Sequence, residues 1–135
     1  MRKVVVGIIC RKNKQKEDEY LLVSSIQQFE EFSGYYYVPG GHLEGQETET
    51  DCLKREIKEE VNLEVTALKK IAQTKSDIKG EIINWYECKV SSYDFQLNKK
   101  ELSNAGFFSQ KEMKKLNIWP ATKSFFEKYI FEKKA

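Results

Sequence analysis

Residues 41–63 read GHLEGQETETDCLKREIKEEVNL and form the most strongly patterned segment of the chain. The segment predicts a helix over about Glu49 to Val61, which Thr48 and Asp51 open as a capping pair. On a helix, residues three and four apart share one face. The helix therefore carries two neighbouring stripes. The apolar stripe is Leu53, Ile57 and Val61, and the acidic stripe is Glu56, Glu59 and Glu60.

The acidic stripe predicts a site for a hard cation. Carboxylates that are held close together repel one another and raise each other's pKa. A cation bound between them removes this penalty, and ligands that are all oxygen favour Mg²⁺, Mn²⁺ or Ca²⁺ over Zn²⁺. The competing interpretation is an exposed, solvated helix face that binds nothing.

The same segment resembles the Nudix box, G-x5-E-x7-R-E-U-x-E-E-x-G-U, in which U is aliphatic. Eight of its nine fixed positions match: Gly41, Glu47, Arg55, Glu56, Ile57, Glu59, Glu60 and Leu63. Asn62 stands where the box has its last glycine, and asparagine is the next best residue for a left-handed helix end. The resemblance implies an α/β fold, a Nudix-type α/β/α sandwich with a mixed β-sheet between helices.

The resemblance also implies a metal site that contains Mg²⁺, with Mn²⁺ as a substitute. Glu56 and Glu60 are the predicted principal ligands, and Glu59 completes the cluster directly or through water. The backbone carbonyl of Gly40, the residue before the box, is a further ligand implied by the family.

Two more box residues are predicted to support the ligands rather than bind the metal. Arg55 has a guanidinium group that can hold a carboxylate in a fixed orientation, and the resemblance places Glu47 close to it. A direct metal contact by Glu47 stays open. Glu44, in the lead-in to the box, is a third candidate for this supporting set.

The general base has several candidates. Family members use a glutamate of the box or one on a later loop. We expect Glu56 or Glu60 first and Glu101 second, with a plain surface role for Glu101 as the alternative.

Substrate binding is predicted around the glycines that precede the box. Gly41 lacks a side chain, so backbone can approach the metal and the phosphates. Tyr37, Trp85 and Trp119 are candidates to stack on a nucleobase, and core packing is the alternative for each of them. The sole histidine, His42, is expected to form a structural hydrogen bond.

Composition narrows the class of protein. The length of 135 residues predicts one domain, 1–135. A formal charge of +2 gives no strong field, so we expect neither nucleic acid nor a membrane as a partner. Cys10, Cys52 and Cys88 are odd in number and widely spaced, which argues against disulfides or a zinc ribbon. Without a long apolar run, the chain is expected to be cytoplasmic.

Alternating and β-branched runs predict strands on both sides of the box helix. The predicted strands are Val4–Arg11, Tyr20–Ile26, Tyr35–Val38, Leu63–Thr74, Glu81–Val90 and Ala105–Ser109. Two further helices are predicted at Ser109–Leu116 and Thr122–Phe131. The turn Pro39-Gly40-Gly41 is expected to end the third strand.

The predicted activity is Mg²⁺-dependent hydrolysis of a nucleoside diphosphate linked to another group. A nucleoside triphosphate, oxidised or not, is the expected substrate, with the monophosphate and pyrophosphate as products. ADP-ribose or a dinucleotide is the alternative substrate, and a non-catalytic ligand sensor of the same fold is the alternative class. The protein is expected to be a monomer or a homodimer.

Overall fold

The computed structural model describes residues 1–132. Within them, seven strands form one mixed sheet. The strands are β1 (Arg2–Lys12), β2 (Asp18–Ser25), β3 (Tyr36–Tyr37), β4 (Gly40–His42), β5 (Val65–Lys75), β6 (Glu81–Val90) and β7 (Leu102–Ser109). The α-helices are α1 (Glu49–Val61), α2 (Gln110–Met113) and α3 (Pro120–Phe125), and α3 continues as a π-helical turn, Phe126–Phe131. A short 3₁₀ turn lies at Glu30–Phe32.

Strand β1 is the centre of the sheet. It runs parallel to β6, whereas all its other pairings are antiparallel. Its first half pairs with β4, from Val4 opposite His42 to Val6 opposite Gly40. Its last residues pair with β2, which in turn pairs with β3 and β7. The strand that precedes the box is therefore fixed against the middle of the sheet.

The sheet separates two apolar cores because successive side chains of a strand point to opposite faces. On one face, Val5 and Ile9 pack with the apolar stripe of α1. On the other face, Val6 and Ile8 pack with Phe125 and the aromatic residues around it. Helices cover both faces of a mixed sheet, which confirms the predicted α/β/α class.

The structure agrees with most of the predicted elements and corrects some of them. Helix α1 has the predicted bounds, and Thr48 accepts a hydrogen bond from the Asp51 amide as its cap. Strand β3 ends at Tyr37, before the Pro39-Gly40-Gly41 turn, as predicted, but Gly40–His42 then forms a further strand, β4, against β1. Two glycines have low strand propensity, so only the pairing partner explains this strand.

Strands β1, β2, β3 and β5 differ from the predicted bounds by one or two residues, and the larger differences lie in the C-terminal third. Strand β7 begins at Leu102 rather than Ala105, since it pairs along the whole of β2. Helix α2 is a single turn, and α3 begins at Pro120, which suits the first helical position. No helix among residues 1–132 combines the length and apolarity needed to cross a bilayer.

Candidate active site

A cleft of about 520 Å³ opens beside the box. Helix α1 contributes Glu56 and Glu60 to its lining, and β4 contributes Gly40 and Gly41. Glu101, on the loop that precedes β7, lines the same cleft. The fold therefore brings a later glutamate to the box, as the sequence predicted for one of the candidate bases.

Glu60 is the most buried carboxylate of the cluster, with 7% of its surface exposed. Its Oε1 accepts a hydrogen bond of 3.0 Å from the amide of Gly40. Burial raises the pKa of Glu60 to about 8, and the negative charges of Glu56, Glu101 and Glu59 add to this effect. A cation bound beside Glu60 would favour the charged form of this carboxyl group.

Glu56 lies directly against Gly41. A Cβ atom on Gly41 would stand only 2.3 Å from the carboxyl carbon of Glu56. Burial raises the pKa of Glu56 as well, although the hydrogen bond from Arg55 opposes this shift. A side chain at position 41 would displace the Glu56 carboxylate, so glycine there allows this carboxylate to keep its place in the cleft.

Gly40 requires glycine for a different reason. Its φ of +152° lies in a region that side-chain-bearing residues rarely adopt. A Cβ atom there would meet the carbonyl oxygen of Val5 at 2.1 Å. The close pairing of β4 with β1, which places the Gly40 amide on Glu60, therefore depends on the absence of a side chain.

Arg55 links the loop before α1 to the acidic stripe. Its Nη2 donates to Glu47 at 2.7 Å, and its Nη1 donates to Glu56 at 2.9 Å. Glu44 and Glu59 lie further away, at 3.6 and 3.5 Å from the guanidinium. The Arg55 hydrogen bond, helped by the amide of Glu44, lowers the pKa of Glu47 to about 2. The predicted supporting set is thus assembled around one guanidinium.

Glu59 is placed differently from the other two acidic-stripe residues. Its side chain is 47% exposed, and it does not line the cleft with Glu56 and Glu60. Of the three predicted carboxylate ligands, two line the cleft and the third does not. The contribution of Glu59, directly or through water, stays a prediction.

The three predicted aromatic residues have three different environments. Tyr37 is half-buried in the cleft, and burial together with Glu60 raises the pKa of its phenol well above the usual value. Trp119 is half-buried and lines the cleft, with its ring 4.7 Å from that of Phe32. Trp85 is 1% exposed and stacks on Phe125 at 3.9 Å. For Trp85, core packing is therefore the role that the structure shows, because Phe125 already covers a ring face.

A histidine–carboxylate pair lies at the cleft. The sequence predicted a hydrogen bond of the histidine but not its partner. His42 does form a hydrogen bond, 2.6 Å between its Nε2 and Oε2 of Glu81. Glu81 is buried, and Ser76 donates to its other oxygen at 3.2 Å. The sequence holds no sign of this pairing, since Glu81 appears there only as the first residue of a strand.

The C-terminal end of α1 explains the departure from the box. Asn62 adopts the left-handed conformation, with φ of 56° and ψ of 36°. Its backbone amide donates to the carbonyl of Lys58 as a helix cap, and its side-chain Nδ2 donates to Oε1 of Gln96 at 3.1 Å. Asparagine therefore keeps the glycine-like geometry and adds a contact to the loop between β6 and β7.

The cleft residues fit a divalent cation by their chemistry. They supply hard oxygen donors. Burial raises the pKa values of Glu56 and Glu60, and the neighbouring negative charges that add to this effect are ones that a cation would neutralise. Within residues 1–132, no three histidine, cysteine or acidic side chains are arranged as a ready metal-binding group. The fit lies in the type and location of the donors, and coordination would draw the carboxylates together.

Comparison with known proteins identifies the family and agrees with the fold. The NUDIX domain matches residues 1–129. No curated protein matches the sequence significantly. Among solved structures, a NUDIX hydrolase from Nitrosomonas europaea has a TM-score of 0.83 at 20% identity, over 98% of this chain and 72% of that one.

Two further structures share the fold. The MutT protein from Methanosarcina mazei Go1 has a TM-score of 0.76 at 20% identity, over 99% of this chain and 96% of its own. The NUDIX domain of Shewanella oneidensis NrtR, complexed with ADP ribose, has a TM-score of 0.78 at 16% identity. The match covers 98% of this chain and 88% of that one. The domain match spans nearly the whole described chain, and it confirms the resemblance found in the box. The chain belongs to the NUDIX family.

Proposed function

We propose that this protein is a Mg²⁺-dependent hydrolase of nucleoside diphosphate-linked compounds, with nucleoside triphosphates as its main substrates. The products are the nucleoside monophosphate and pyrophosphate. The observation that supports this proposal most strongly is the convergence of Glu56, Glu60 and Glu101 on one cleft beside Gly40 and Gly41. Clustered carboxylates, of which Glu60 is buried, suit an anionic substrate only when cations lie between them and the phosphates.

In this proposal Glu56 and Glu60 hold Mg²⁺, with Mn²⁺ as a substitute and with the carbonyl of Gly40 as a further donor. When bound, the ion neutralises phosphate oxygens and makes water a better nucleophile. Arg55 keeps Glu56 in place through the 2.9 Å hydrogen bond. Glu59 assists from the edge of the cleft.

Glu101 is the candidate general base. It lines the cleft together with Glu56 and Glu60, whereas those two carboxylates are already engaged by Arg55 and by the Gly40 amide. A carboxylate that binds no metal is free to accept a proton from the attacking water. The choice of Glu101 separates the base from the metal ligands.

The remaining cleft residues suit the rest of a nucleotide. Tyr37 keeps its proton because its pKa is raised, so its hydroxyl can donate to a phosphate oxygen. Trp119 and Phe29, whose rings are 5.2 Å apart, both line the cleft. An aromatic edge of this kind is able to hold a planar base.

ADP-ribose is the second candidate ligand, because the NrtR domain with the same fold was solved with ADP ribose. The protein would then be either an ADP-ribose hydrolase or a sensor. Retention of Glu56, Glu59 and Glu60 favours the hydrolase, since a sensor has no need of catalytic carboxylates.

The test is a product-resolved hydrolysis assay with a panel of nucleoside triphosphates, oxidised nucleotides and ADP-ribose, with and without Mg²⁺. Pyrophosphate release from a triphosphate that requires Mg²⁺ supports the proposal. Glu60→Gln should lower turnover at least about 100-fold, since it removes a metal ligand that acts in the transition state.

Glu64→Gln is the matched control, because Glu64 is exposed and does not line the cleft. It should retain wild-type turnover. Ligand binding without turnover of any compound in the panel would make the protein a sensor and would overturn the enzymatic proposal. Full activity of Glu60→Gln would refute the proposed metal site.

A further inference from the structure

The loop that carries Glu101 is attached to the end of the helix that carries Glu60. This loop, residues 91–101, joins β6 to β7. The last carbonyl groups of a helix have no partner within the helix. Here the amide of Gln96 donates to the carbonyl of Val61 at 2.9 Å, and the amide of Asn98 donates to the carbonyl of Glu60 at 2.9 Å.

Asn98 makes a second connection to the helix through its side chain. Its Nδ2 donates to the carbonyl of Glu59 at 3.1 Å, and the same nitrogen lies 3.5 Å from Oε2 of Glu101. The latter contact is at the long end of hydrogen-bond distances. One amide group therefore spans the helix end and the candidate base.

Asn98 also shapes the turn that leads to Glu101. Its Oδ1 accepts from the amide of Lys100 at 3.1 Å. Its backbone carbonyl accepts from the amides of Glu101 at 3.1 Å and of Leu102 at 2.9 Å. Backbone and side chain of this single residue thus define both the start of β7 and the direction of Glu101.

We propose that Asn98 is a positioning residue for the hydrolysis, which holds the Glu101 carboxylate at a fixed place relative to the metal-binding end of α1. This inference rests on the proposed function. A fixed link is needed because Glu101 is an exposed side chain, and proton transfer requires the base to lie within hydrogen-bond distance of the attacking water. Asn98 itself does not line the cleft.

The experiment is a double-mutant cycle with Asn98→Ala and Glu101→Gln, followed through kcat and KM. Glu101→Gln alone should lower kcat about 100-fold or more, as expected for loss of a general base. Asn98→Ala alone should lower kcat between about 10-fold and 100-fold by misplacing that base. In the Glu101→Gln background, Asn98→Ala should change kcat less than about twofold.

Gln96→Ala is the matched control. Gln96 ties the same loop to the same helix end, through its side chain to Asn62, but does not contact Glu101. It should keep wild-type kcat. Mg²⁺ affinity, measured by calorimetry, should be unchanged in Asn98→Ala, because Glu56 and Glu60 keep their own partners.

Asn98→Ser guards against a folding defect, since its hydroxyl can accept from the Lys100 amide in the same type of turn while the Nδ2 donor is lost and no charge is added. This variant should fold and lower kcat, and its effect on kcat should also disappear in the Glu101→Gln background. Equal losses of kcat from Asn98→Ala in both backgrounds, or wild-type kcat in both Asn98 variants, would overturn this inference alone. Absence of turnover in the wild-type protein would overturn the proposed function and this inference with it.

Discussion

At the scale of single residues, two carboxylates of the site have pKa values that are shifted in opposite directions. Glu60 is buried and has a raised pKa, whereas Glu47 is paired with Arg55 and has a lowered pKa. The two glutamates differ in environment rather than in chemistry. Burial without a cationic partner disfavours the charged form, and a guanidinium hydrogen bond favours it. Glu60 therefore suits a metal ligand, and Glu47 suits a fixed anchor.

Arg55→Ala tests the anchoring role at this scale. The variant leaves Glu47 and Glu56 without their common partner, so we expect kcat to fall roughly tenfold, as for other residues that orient metal ligands. The loss should be smaller than in Glu60→Gln, and KM should change little. Steady-state kinetics with saturating Mg²⁺ measures both values.

Lys54→Ala is the control for Arg55→Ala, because Lys54 is an exposed residue of the same helix. It should behave as wild type. A large rise of KM in Arg55→Ala would show instead that the guanidinium contacts a substrate phosphate.

At the scale of elements, α1 is defined by its two ends. Thr48 caps the first turn, and Asn62 closes the last one in the left-handed conformation. The carbonyls of the last turn are then taken up by the loop between β6 and β7. Helix α1 therefore connects three parts of the site: the box loop, the acidic stripe and the segment that carries Glu101.

Asn62→Ala tests the closure of this helix. Alanine lacks the local tolerance of asparagine for the left-handed region, so we expect a loss of about 1 kcal/mol in the free energy of unfolding. Asn62→Gly should stay close to wild type, because relief of backbone strain offsets the lost contact with Gln96. Urea denaturation at constant Mg²⁺ measures both variants. Equal stability of the alanine and glycine variants would contradict this account of position 62.

At the scale of the whole molecule, the sheet and its two cores hold the cleft in place. Strand β1 is shared between β4, which carries the glycines, and β2, which pairs with the strand that follows Glu101. The catalytic candidates thus lie on elements that the central strand joins, and direct hydrogen bonds connect α1 to β4 and to the loop that precedes β7. Their mutual repulsion is a cost to folding, which the stability of the whole domain must exceed.

This cost predicts how the metal-free protein responds to pH. The folded-state pKa of Glu60 is raised from 4.5 to about 8, so the related stability is fully present below about pH 4.5 and is lost as pH rises through about 8. We expect the melting temperature of the metal-free protein to fall by several degrees between about pH 6 and pH 9. The lowered pKa of Glu47 acts in a separate, acidic range, where stability falls as pH decreases through about 2.

Thermal melts in the presence of a chelator measure this effect. Glu60→Gln should remove most of the decline, whereas Glu64→Gln should retain it. Added Mg²⁺ should restore the melting temperature at about pH 9, because a ligand that binds only the folded state stabilises it. A melting temperature of the metal-free wild type that does not change over this range would contradict the electrostatic account of Glu60.

The sequence by itself determined the parts of the protein that depend on local periodicity. Helix α1, its cap at Thr48 and the two stripes all follow from residues one to four positions apart, which lie close together on a helix. The left-handed Asn62 was predicted from the glycine that the box has at this position. The mixed α/β class followed from the same patterns and from the resemblance of the box. These predictions needed no knowledge of the neighbouring elements.

Only the tertiary structure decided which distant residues share the cleft. The burial of Glu60, the partnership of His42 with Glu81, the core position of Trp85 and the strand at Gly40–His42 all depend on how elements far apart in the chain pack together. Side-chain spacing carries no record of such packing, because strand pairing and loop docking join residues without any periodic relation. Local sequence therefore determined the acidic helix, whereas the packing of distant elements determined the cleft around it.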